Sequence, residues 1–207
     1  MPVNEPFPCL MVRKDNFGTV AAAVELISLD DLPTGEVLIE VAYSSLNYKD
    51  ALAAEGHPGV VRKFPHVPGI DCAGTIVESQ TSQFKPGDPV LITGYDLGAG
   101  HWGGLSRYVR VPAEWIVPLP AGLTEREAMI YGTAGFTAAQ CVTAIVERDI
   151  GPDRGEIVVT GATGGVGSLA VAILAKLGYQ VAAVTGKADR HDWLRDLGAT
   201  TILSRGD

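Results

Sequence analysis

A glycine-rich turn at residues 160–167 has the residue types and the spacing that bind a diphosphate. Residues 162–167 read Ala-Thr-Gly-Gly-Val-Gly, which fits the dinucleotide fingerprint Gly-x-Gly-x-x-Gly with alanine in the first place. Glycines let phosphate oxygens approach the backbone, and the free amides and positive dipole end of a following helix attract an anion. The residues predicted to hold the diphosphate are Ala162, Thr163, Gly164, Gly165, Val166 and Gly167.

Two other phosphate-binding loops fit this stretch less well. A P-loop needs a lysine after its last glycine, but Ser168 follows Gly167. The residues also resemble the loop of short-chain dehydrogenases, which carry a Tyr-x-x-x-Lys pair downstream. None of the six tyrosines here is followed by a lysine four places on. A glycine-rich turn that binds no ligand remains the structural alternative.

The elements around the turn must position it, and their pattern predicts a βαβαβ unit. Residues 157–159 are β-branched and predict a buried strand, and the Ala/Leu/Val-rich segment 169–177 predicts a helix. A second strand is expected at 180–184, a helix at 189–197 and a third strand at 200–203. This arrangement is half of a Rossmann fold, a doubly wound parallel sheet.

The end of the second predicted strand bears on which dinucleotide binds. NAD-specific folds place an acidic residue there, about 20 residues after the glycines. Here Thr185 and Lys187 occupy that place, and Arg190 follows, so the local charge favours the 2′-phosphate of NADPH. Asp189 is the competing candidate, but it falls a few residues late and is expected to open the next helix. A solvated loop lysine is the alternative for Lys187.

The first part of the chain is rich in short β segments and predicts a barrel. Strands are expected at 7–12, 19–27, 35–43, 70–77, 89–92, 108–111 and 115–119, with one helical segment at 44–54. The β-rich part ends near residue 122. Thr124 and Glu127 form a capping box that opens a helix, which residues 132–135 interrupt. We therefore expect an α/β protein with one domain at 1–122 and a second at 123–207.

The composition restricts the possible partners. The chain has 207 residues and a net charge of −8, which argues against an extended nucleic-acid surface. Cys9, Cys72 and Cys141 show no paired or metal-binding spacing. Residues 1–15 lack a basic segment followed by an apolar one, and no apolar run is expected to reach membrane-spanning length. The expectation is a cytoplasmic protein with no membrane or nucleic-acid partner.

Five blocks spread along the chain carry a family resemblance, namely residues 46–50, 67–74, 101–106, 132–137 and 159–167. They resemble the medium-chain dehydrogenase/reductase superfamily, in its YhdH/YhfP-type quinone oxidoreductase branch. The resemblance is greatest to the NADPH-dependent acryloyl-CoA reductases of that branch. It implies a GroES-like β-barrel domain followed by an incomplete Rossmann domain, NADPH as cofactor, and a homodimer for the full-length protein. Members continue beyond the point that corresponds to residue 207, so we expect this chain to be a fragment whose own activity is doubtful.

The resemblance also bears on metal chemistry. Zinc enzymes of the superfamily have a cysteine where residues 46–48 stand and Gly-His-Glu where residues 69–71 stand, and neither ligand is present here. The four-cysteine structural lobe is absent too, so no zinc is expected. The four histidines lack metal-ligand spacing and are expected to be surface or hydrogen-bonded residues; they are His57, His66, His101 and His191.

The chemistry implied without zinc is hydride addition to a polarised double bond. The expected reaction is the reduction of acryloyl-CoA to propanoyl-CoA, with charge developing on the carbonyl oxygen. Tyr48 is the candidate proton donor or hydrogen-bond partner of the enolate, and Asn47 is expected to orient the substrate or the nicotinamide ribose. Alternatively, both residues cap and pack a short helix.

Four further residues complete the predicted site. By resemblance Thr133 lies under the nicotinamide, although a packing kink would explain the same sequence. Trp102 is expected to form a wall of the substrate cleft, with simple burial as the alternative. Arg62 and Lys63 are expected to contact the phosphates of coenzyme A, with a plain surface charge pair as the alternative.

Reduction of a quinone or enone is the nearest other activity. A sensor or structural protein that binds NADPH with little turnover would share the same motifs.

Overall fold

The structure is a computed structural model that describes residues 5–204 and 206. The chain divides into two compact units, Met1–Thr133 and Ala134–Asp207, which are considered separately below. The predicted division at residues 122 and 123 stays a prediction.

The first unit is made of two antiparallel sheets and one short helix. A hairpin joins β1 (Phe7–Lys14) to β2 (Val20–Ile27). The second sheet has the order β6-β3-β4-β5-β7. Its strands are β3 (Val37–Ser44), β4 (Asp71–Ser79), β5 (Pro89–Thr93), β6 (Tyr108–Val111) and β7 (Val117–Pro118), and the helix is α1 (Tyr48–Ala54). The expected β-rich opening is confirmed.

Strand β3 shows why this sequence buries both faces of its sheet. Val37 and Ile39 pack in one apolar cluster, whereas Leu38 packs in another with Phe7 and Met11 of the hairpin. Successive residues of a strand point to opposite faces, so an unbroken apolar run is what a sheet covered on both sides requires.

Two predicted elements of this unit are shorter than expected. The helix predicted at 44–54 begins only at Tyr48, because Asn47 is extended (φ −118°, ψ 158°) and β3 continues to Ser44. The strand predicted at 115–119 is reduced to Val117–Pro118, because residues Ala113–Trp115 form a 3-10 turn.

The second unit contains the predicted βαβαβ arrangement. Its elements are β8 (Ile157–Thr160), α3 (Gly165–Lys176), β9 (Val181–Val184), α4 (His191–Asp196) and β10 (Thr201–Leu203). The three strands are parallel in the order β10-β9-β8. Val171 and Leu174 of α3 are buried against Val181 and Ala183 of β9, which fixes the helix on the sheet.

Helix α2 (Glu125–Val146) changes direction at Gly132, where φ is 49° and ψ is −155°. Within the described residues it is the one helix that is long and apolar enough to cross a membrane by length and composition, with a mean hydropathy of 1.3. The sequence expectation divided this segment at residues 132–135, and the non-helical backbone of Gly132 lies within that range. Each part on either side of Gly132 is shorter than the roughly 20 residues that a span needs. Ala138 and Val142 are buried in the core of the second unit.

Candidate active site

The glycine-rich loop reverses the chain between β8 and α3. Gly161 has φ 60°, a left-handed conformation that glycine adopts without strain. Two backbone hydrogen bonds hold the reversal: Ala162 N–H donates to Val184 O at 3.2 Å, and Gly164 N–H donates to Gly161 O at 2.8 Å. The loop is thereby tied to the end of β9.

Gly167 is the position at which the loop requires glycine for packing. A Cβ added there would lie 2.4 Å from the carbonyl oxygen of Gly161 and 2.9 Å from the Cα of Ala162. Both are backbone atoms and cannot rotate aside. The first turn of α3 can therefore lie this close to the loop only because residue 167 has no side chain.

The first amides of α3 have no hydrogen-bond acceptor within the helix. Ser168 N–H donates to Gly164 O at 2.9 Å, so the amides of Gly165, Val166 and Gly167 precede the first hydrogen bond of the helix. Gly164, Gly165 and Val166 are exposed. This end of a 12-residue helix can donate to phosphate oxygens and adds the positive end of its dipole.

The end of β9 brings other predicted cofactor residues to this loop. Thr185 is 4% exposed, and its Oγ1 lies 3.4 Å from Oγ1 of Thr163 and accepts a hydrogen bond from Lys187 N–H at 3.1 Å. Lys187 is exposed. Arg190 forms an ion pair with Asp189 (Nε to Oδ2, 3.4 Å), and both side chains face solvent. Asp189, the competing acidic candidate, is thus partly neutralised.

A cavity of about 470 Å³ opens beside the loop. Gly161, Gly164 and Val166 line it on one side, and Cys141 and Val142 of α2 line it on the other. Most of its walls are apolar side chains from the second unit.

In the first unit, the buried carboxylate of Asp71 gathers residues from three segments of the chain. Its Oδ2 accepts hydrogen bonds from Asn47 Nδ2 at 2.9 Å, from Thr133 N–H at 2.9 Å and from Ser45 Oγ. Its Oδ1 accepts one from Thr133 Oγ1 at 2.5 Å. Asp71 is 0% exposed, and several donors compensate for the burial of its charge. We refer to Ser45, Asn47, Asp71 and Thr133 as the Asp71 cluster.

A second buried carboxylate fixes the backbone of Asn47. Asp50 Oδ2 accepts the N–H of Asn47 at 2.7 Å, and Asp50 Oδ1 accepts the amides of Gly69 and Ile70 at 3.1 and 2.9 Å. Asp50 therefore connects the start of α1 to the entrance of β4.

Gly132 allows the chain to reach Asp71. A Cβ at this position would lie 2.6 Å from Asp71 Oδ2 and 3.0 Å from Ser45 Oγ. The change of direction in α2 occurs at the same residue, and it places Thr133 in hydrogen-bond contact with the carboxylate. The interruption predicted at 132–135 thus has a specific contact as its cause.

The structure unites Asn47 and Thr133, which the sequence placed in different parts of the site. Asn47 stands at the N-terminal cap of α1, as the structural alternative proposed, and its side chain also donates to Asp71. Tyr48 is the first residue of α1 and is 81% exposed. Asp71 and Ser45 were missed as site residues. The available signal was that Asp71 lies within residues 67–74, one of the blocks that carry the resemblance.

Cys72 follows Asp71 but is not suited to act as a nucleophile. Burial, with a smaller effect from Asp71, raises the pKa of this thiol to about 12. Since the thiolate is the reactive form, Cys72 remains unreactive near neutral pH. Within residues 5–204 and 206, no group of three His, Cys, Asp or Glu side chains has the arrangement of a metal site.

Two of the three predicted substrate-binding residues, Lys63 and Trp102, line a second cavity of about 300 Å³. His66 and His101 line it as well, and Trp102 Nε1 donates to Pro65 O at 3.0 Å. Burial lowers the pKa of His66, so this histidine favours its neutral form. Arg62 does not line the cavity and forms an ion pair with Asp96 instead (Nη1 to Oδ2, 3.7 Å).

Comparisons with known proteins show which proteins this chain is similar to over most of its length. Residues 33–121 match the alcohol dehydrogenase GroES-like domain. The acrylyl-CoA reductase AcuI of Ruegeria pomeroyi is 53% identical, over 97% of this chain and 61% of that protein.

Solved structures agree with this relationship. The YhdH oxidoreductase from Salmonella enterica in complex with NADP superimposes with a TM-score of 0.93 and 52% identity, over 96% of this chain and 61% of that one. The YhfP protein of Bacillus subtilis with NAD bound gives 0.94 and 48%, over 99% and 62%. The chain therefore spans about 61% of the length of the relatives that it matches.

Proposed function

Because the chain belongs to the medium-chain dehydrogenase/reductase family, we propose that it forms part of an NADPH-dependent enzyme that reduces the carbon–carbon double bond of acryloyl-CoA to give propanoyl-CoA. The observation that carries this proposal is the 53% identity to an acrylyl-CoA reductase over 97% of the chain, which includes both the glycine-rich loop and the Asp71 cluster. The substrate is a small molecule. The homodimeric state and the cytoplasmic location expected from the sequence remain predictions.

The residues around the glycine-rich loop fit the cofactor. The amides at the start of α3 precede the first hydrogen bond of the helix, and the residues around them, Gly164, Gly165 and Val166, are exposed, which suits a diphosphate. Lys187 and Arg190 are exposed near the end of β9 and would hold the 2′-phosphate, since Asp189 is paired with Arg190. When bound, NADPH supplies a hydride.

The Asp71 cluster would position the groups that contact the substrate. Because Asn47 Nδ2 donates to Asp71, the carbonyl oxygen Oδ1 of Asn47 is the group that we assign to accept a hydrogen bond from the nicotinamide ribose or the substrate. Thr133 donates two hydrogen bonds to the same carboxylate, which would fix the backbone predicted to lie under the nicotinamide.

Tyr48 is the group that we assign to the proton transfer. The reduction adds a hydride to the β-carbon and a proton to the α-carbon, and negative charge develops on the carbonyl oxygen in between. The exposed phenol of Tyr48 can donate to that oxygen or protonate the α-carbon. Lys63 and Trp102, which line one cavity, are assigned to the coenzyme A part of the substrate, with Arg62 beside them.

Consumption of NADPH, followed by its absorbance, tests the activity of the protein. Rapid turnover with acryloyl-CoA and slow turnover with a simple quinone is the expected result. Turnover with the quinone alone would contradict the thioester assignment. Binding of NADPH without turnover of any acceptor would favour a sensor or structural role.

The substrate residues have a separate test in the same assay. Replacing Arg62 and Lys63 together by alanine is expected to raise KM for acryloyl-CoA by about tenfold and to leave KM for a small quinone unchanged. Lys85→Ala, another exposed lysine of the first unit, is the matched control. Equal effects on both acceptors would remove the assignment.

The cofactor assignment predicts a selective effect of Lys187→Ala. Loss of one charged contact to the 2′-phosphate is expected to weaken NADPH binding by about tenfold and to leave NADH binding unchanged, as measured by fluorescence titration. Lys176→Ala, at the far end of α3, serves as control. An equal loss for the two cofactors would show that Lys187 does not distinguish them.

A further inference from the structure

One edge of strand β2 is not paired with any described residue. The direction of the backbone hydrogen bonds along β1 shows which backbone groups of β2 lie on that edge. Leu10 N–H donates to Leu105 O and Val12 N–H donates to His66 O, so the even-numbered residues of β1 direct their backbone groups away from β2. The odd-numbered residues of β1 therefore face β2, and Met11 lies opposite Ala23.

By the same alternation, the even-numbered residues of β2 present N–H and C=O groups at the open edge. These residues are Val20, Ala22, Val24 and Leu26. Within residues 5–204 and 206, β2 pairs with β1 alone. The side chains of Val24 and Leu26 are 74% and 70% exposed, so the edge is both unpaired and apolar.

Features that normally protect such an edge do not occur in β2. Natural edge strands carry lysine, proline or a β-bulge, each of which opposes pairing with another chain. The sequence of β2 contains neither residue, and its register with β1 runs without a shift. Glu25 is the one charged residue of β2. Its backbone groups face β1, and its side chain forms an ion pair with Arg13 at 2.7 Å.

We propose that β2 pairs antiparallel with β2 of a second copy of this chain, about a two-fold axis at Ala23. This register uses all four outward residues of each strand. Val20 then lies opposite Leu26 of the partner subunit, and Ala22 lies opposite Val24 of the partner subunit. The apolar side chains of the two strands lie on the same face, where cross-strand apolar pairs stabilise a sheet. A two-fold contact is the commonest symmetry of soluble oligomers.

The charges on the other face are complementary in this register. Arg13 lies opposite Ala21 in its own hairpin. The proposed pairing sets Glu25 of the partner subunit on the far side of Ala21, in the same row and on the same face. Neighbouring strands are about 4.8 Å apart, so the long side chains of opposite charge can approach each other across Ala21.

The small size of the contact makes the association weak and reversible. One pair of short strands covers on the order of several hundred Å², which is less than the roughly 1,200 Å² of a stable interface. Neither the glycine-rich loop nor the Asp71 cluster takes part, so this proposal is independent of the proposed function.

Sedimentation velocity on the purified protein tests the proposal through β2 variants. Val24→Lys places a charge on the edge, and Ala22→Pro removes an outward N–H that β1 does not use. Each is expected to weaken the concentration-dependent association step by about tenfold or more. The matched control Val146→Lys makes the same change at an exposed residue of α2 and should leave that step unchanged.

Cross-linking tests the register itself, in a Cys141→Ser background that removes the exposed thiol. Ala23 would face Ala23 of the partner subunit in a non-hydrogen-bonded pair about 4.5 Å apart, so Ala23→Cys should form a disulfide-linked dimer on mild oxidation. Ala21→Cys would face Glu25 of the partner subunit and should not. A single species without association at any concentration, association unaffected by the β2 variants, or equal cross-linking of both cysteines would overturn the proposal.

Discussion

The glycine-rich loop and the Asp71 cluster hold their predicted ligand groups in different ways. The loop acts through backbone amides of consecutive residues, and its walls are open to solvent. The cluster acts through side chains from three distant segments, which meet around a carboxylate with no exposed surface. The first region is formed by consecutive residues at the surface, and the second is formed by distant residues around a buried carboxylate.

This difference determines how each region should respond to mutation. In the loop, an added side-chain atom should be disruptive, because the backbone around Gly167 leaves no space for it. In the cluster, the loss of a hydrogen-bond acceptor should be disruptive, because several donors depend on the buried carboxylate. Substitutions in the two regions should therefore differ in both the size and the cause of their effects.

Gly167→Val should give the largest effect. The new Cβ would lie 2.4 Å from a backbone oxygen, and the helix or the loop must move to relieve the contact. We expect a loss of NADPH binding and a decrease of about 3 kcal/mol in the free energy of unfolding, measured by titration and denaturation. Gly206→Val, outside the loop, is the control, because a Cβ there would meet no atom within 4 Å. Normal NADPH binding by Gly167→Val would show that the close approach is unnecessary.

Asp71→Asn should act through hydrogen bonding rather than through volume. The new NH2 group would face the donors from Ser45, Asn47 and Thr133, so at least one polar group would lose its partner. The free energy of unfolding should fall by about 2–3 kcal/mol in chemical denaturation. Asp30→Asn, at an exposed position, should change it by less than about 0.5 kcal/mol. Similar small values for both variants would mean that the cluster contributes little to stability.

Thr133→Val tests a single hydrogen bond of the cluster at nearly constant volume. It removes the bond from Oγ1 to Asp71 Oδ1 and keeps the bond from the backbone N–H. We expect a loss of about 1 kcal/mol in thermal or chemical denaturation. Thr133→Ser retains the hydroxyl and should recover most of the stability. A serine variant as unstable as the valine variant would indicate that the methyl group, rather than the hydroxyl, matters.

Thiol alkylation compares the two regions without altering the fold. Burial raises the pKa values of Cys9 and Cys72 to about 11 and about 12, so both thiols stay protonated at neutral pH. Cys141 is exposed and lines the cavity beside the loop. Iodoacetamide should therefore modify Cys141 first, as measured by mass spectrometry of peptides. Early modification of Cys72 would mean that the cluster opens readily to solvent.

The local parts of this protein could be predicted from the amino-acid pattern alone. The glycine-rich loop, its flanking strands and helices, and the parallel order of the unit depend on residues close in the chain. Patterns of β-branched residues, glycines and helix formers are sufficient for such elements. The family was also identified correctly, because its motifs are short and spread along the chain. The roles of the individual site residues stay predictions.

Only the tertiary structure decided which side chains surround Asp71. Asn47 and Thr133 lie 24 and 62 residues from Asp71 in the chain, and no short-range pattern links them. Their meeting depends on the position of α1, on the entrance of β4 and on the change of direction at Gly132. A buried carboxylate must find its donors wherever the fold supplies them, so its partners follow from the completed packing and not from the sequence around it.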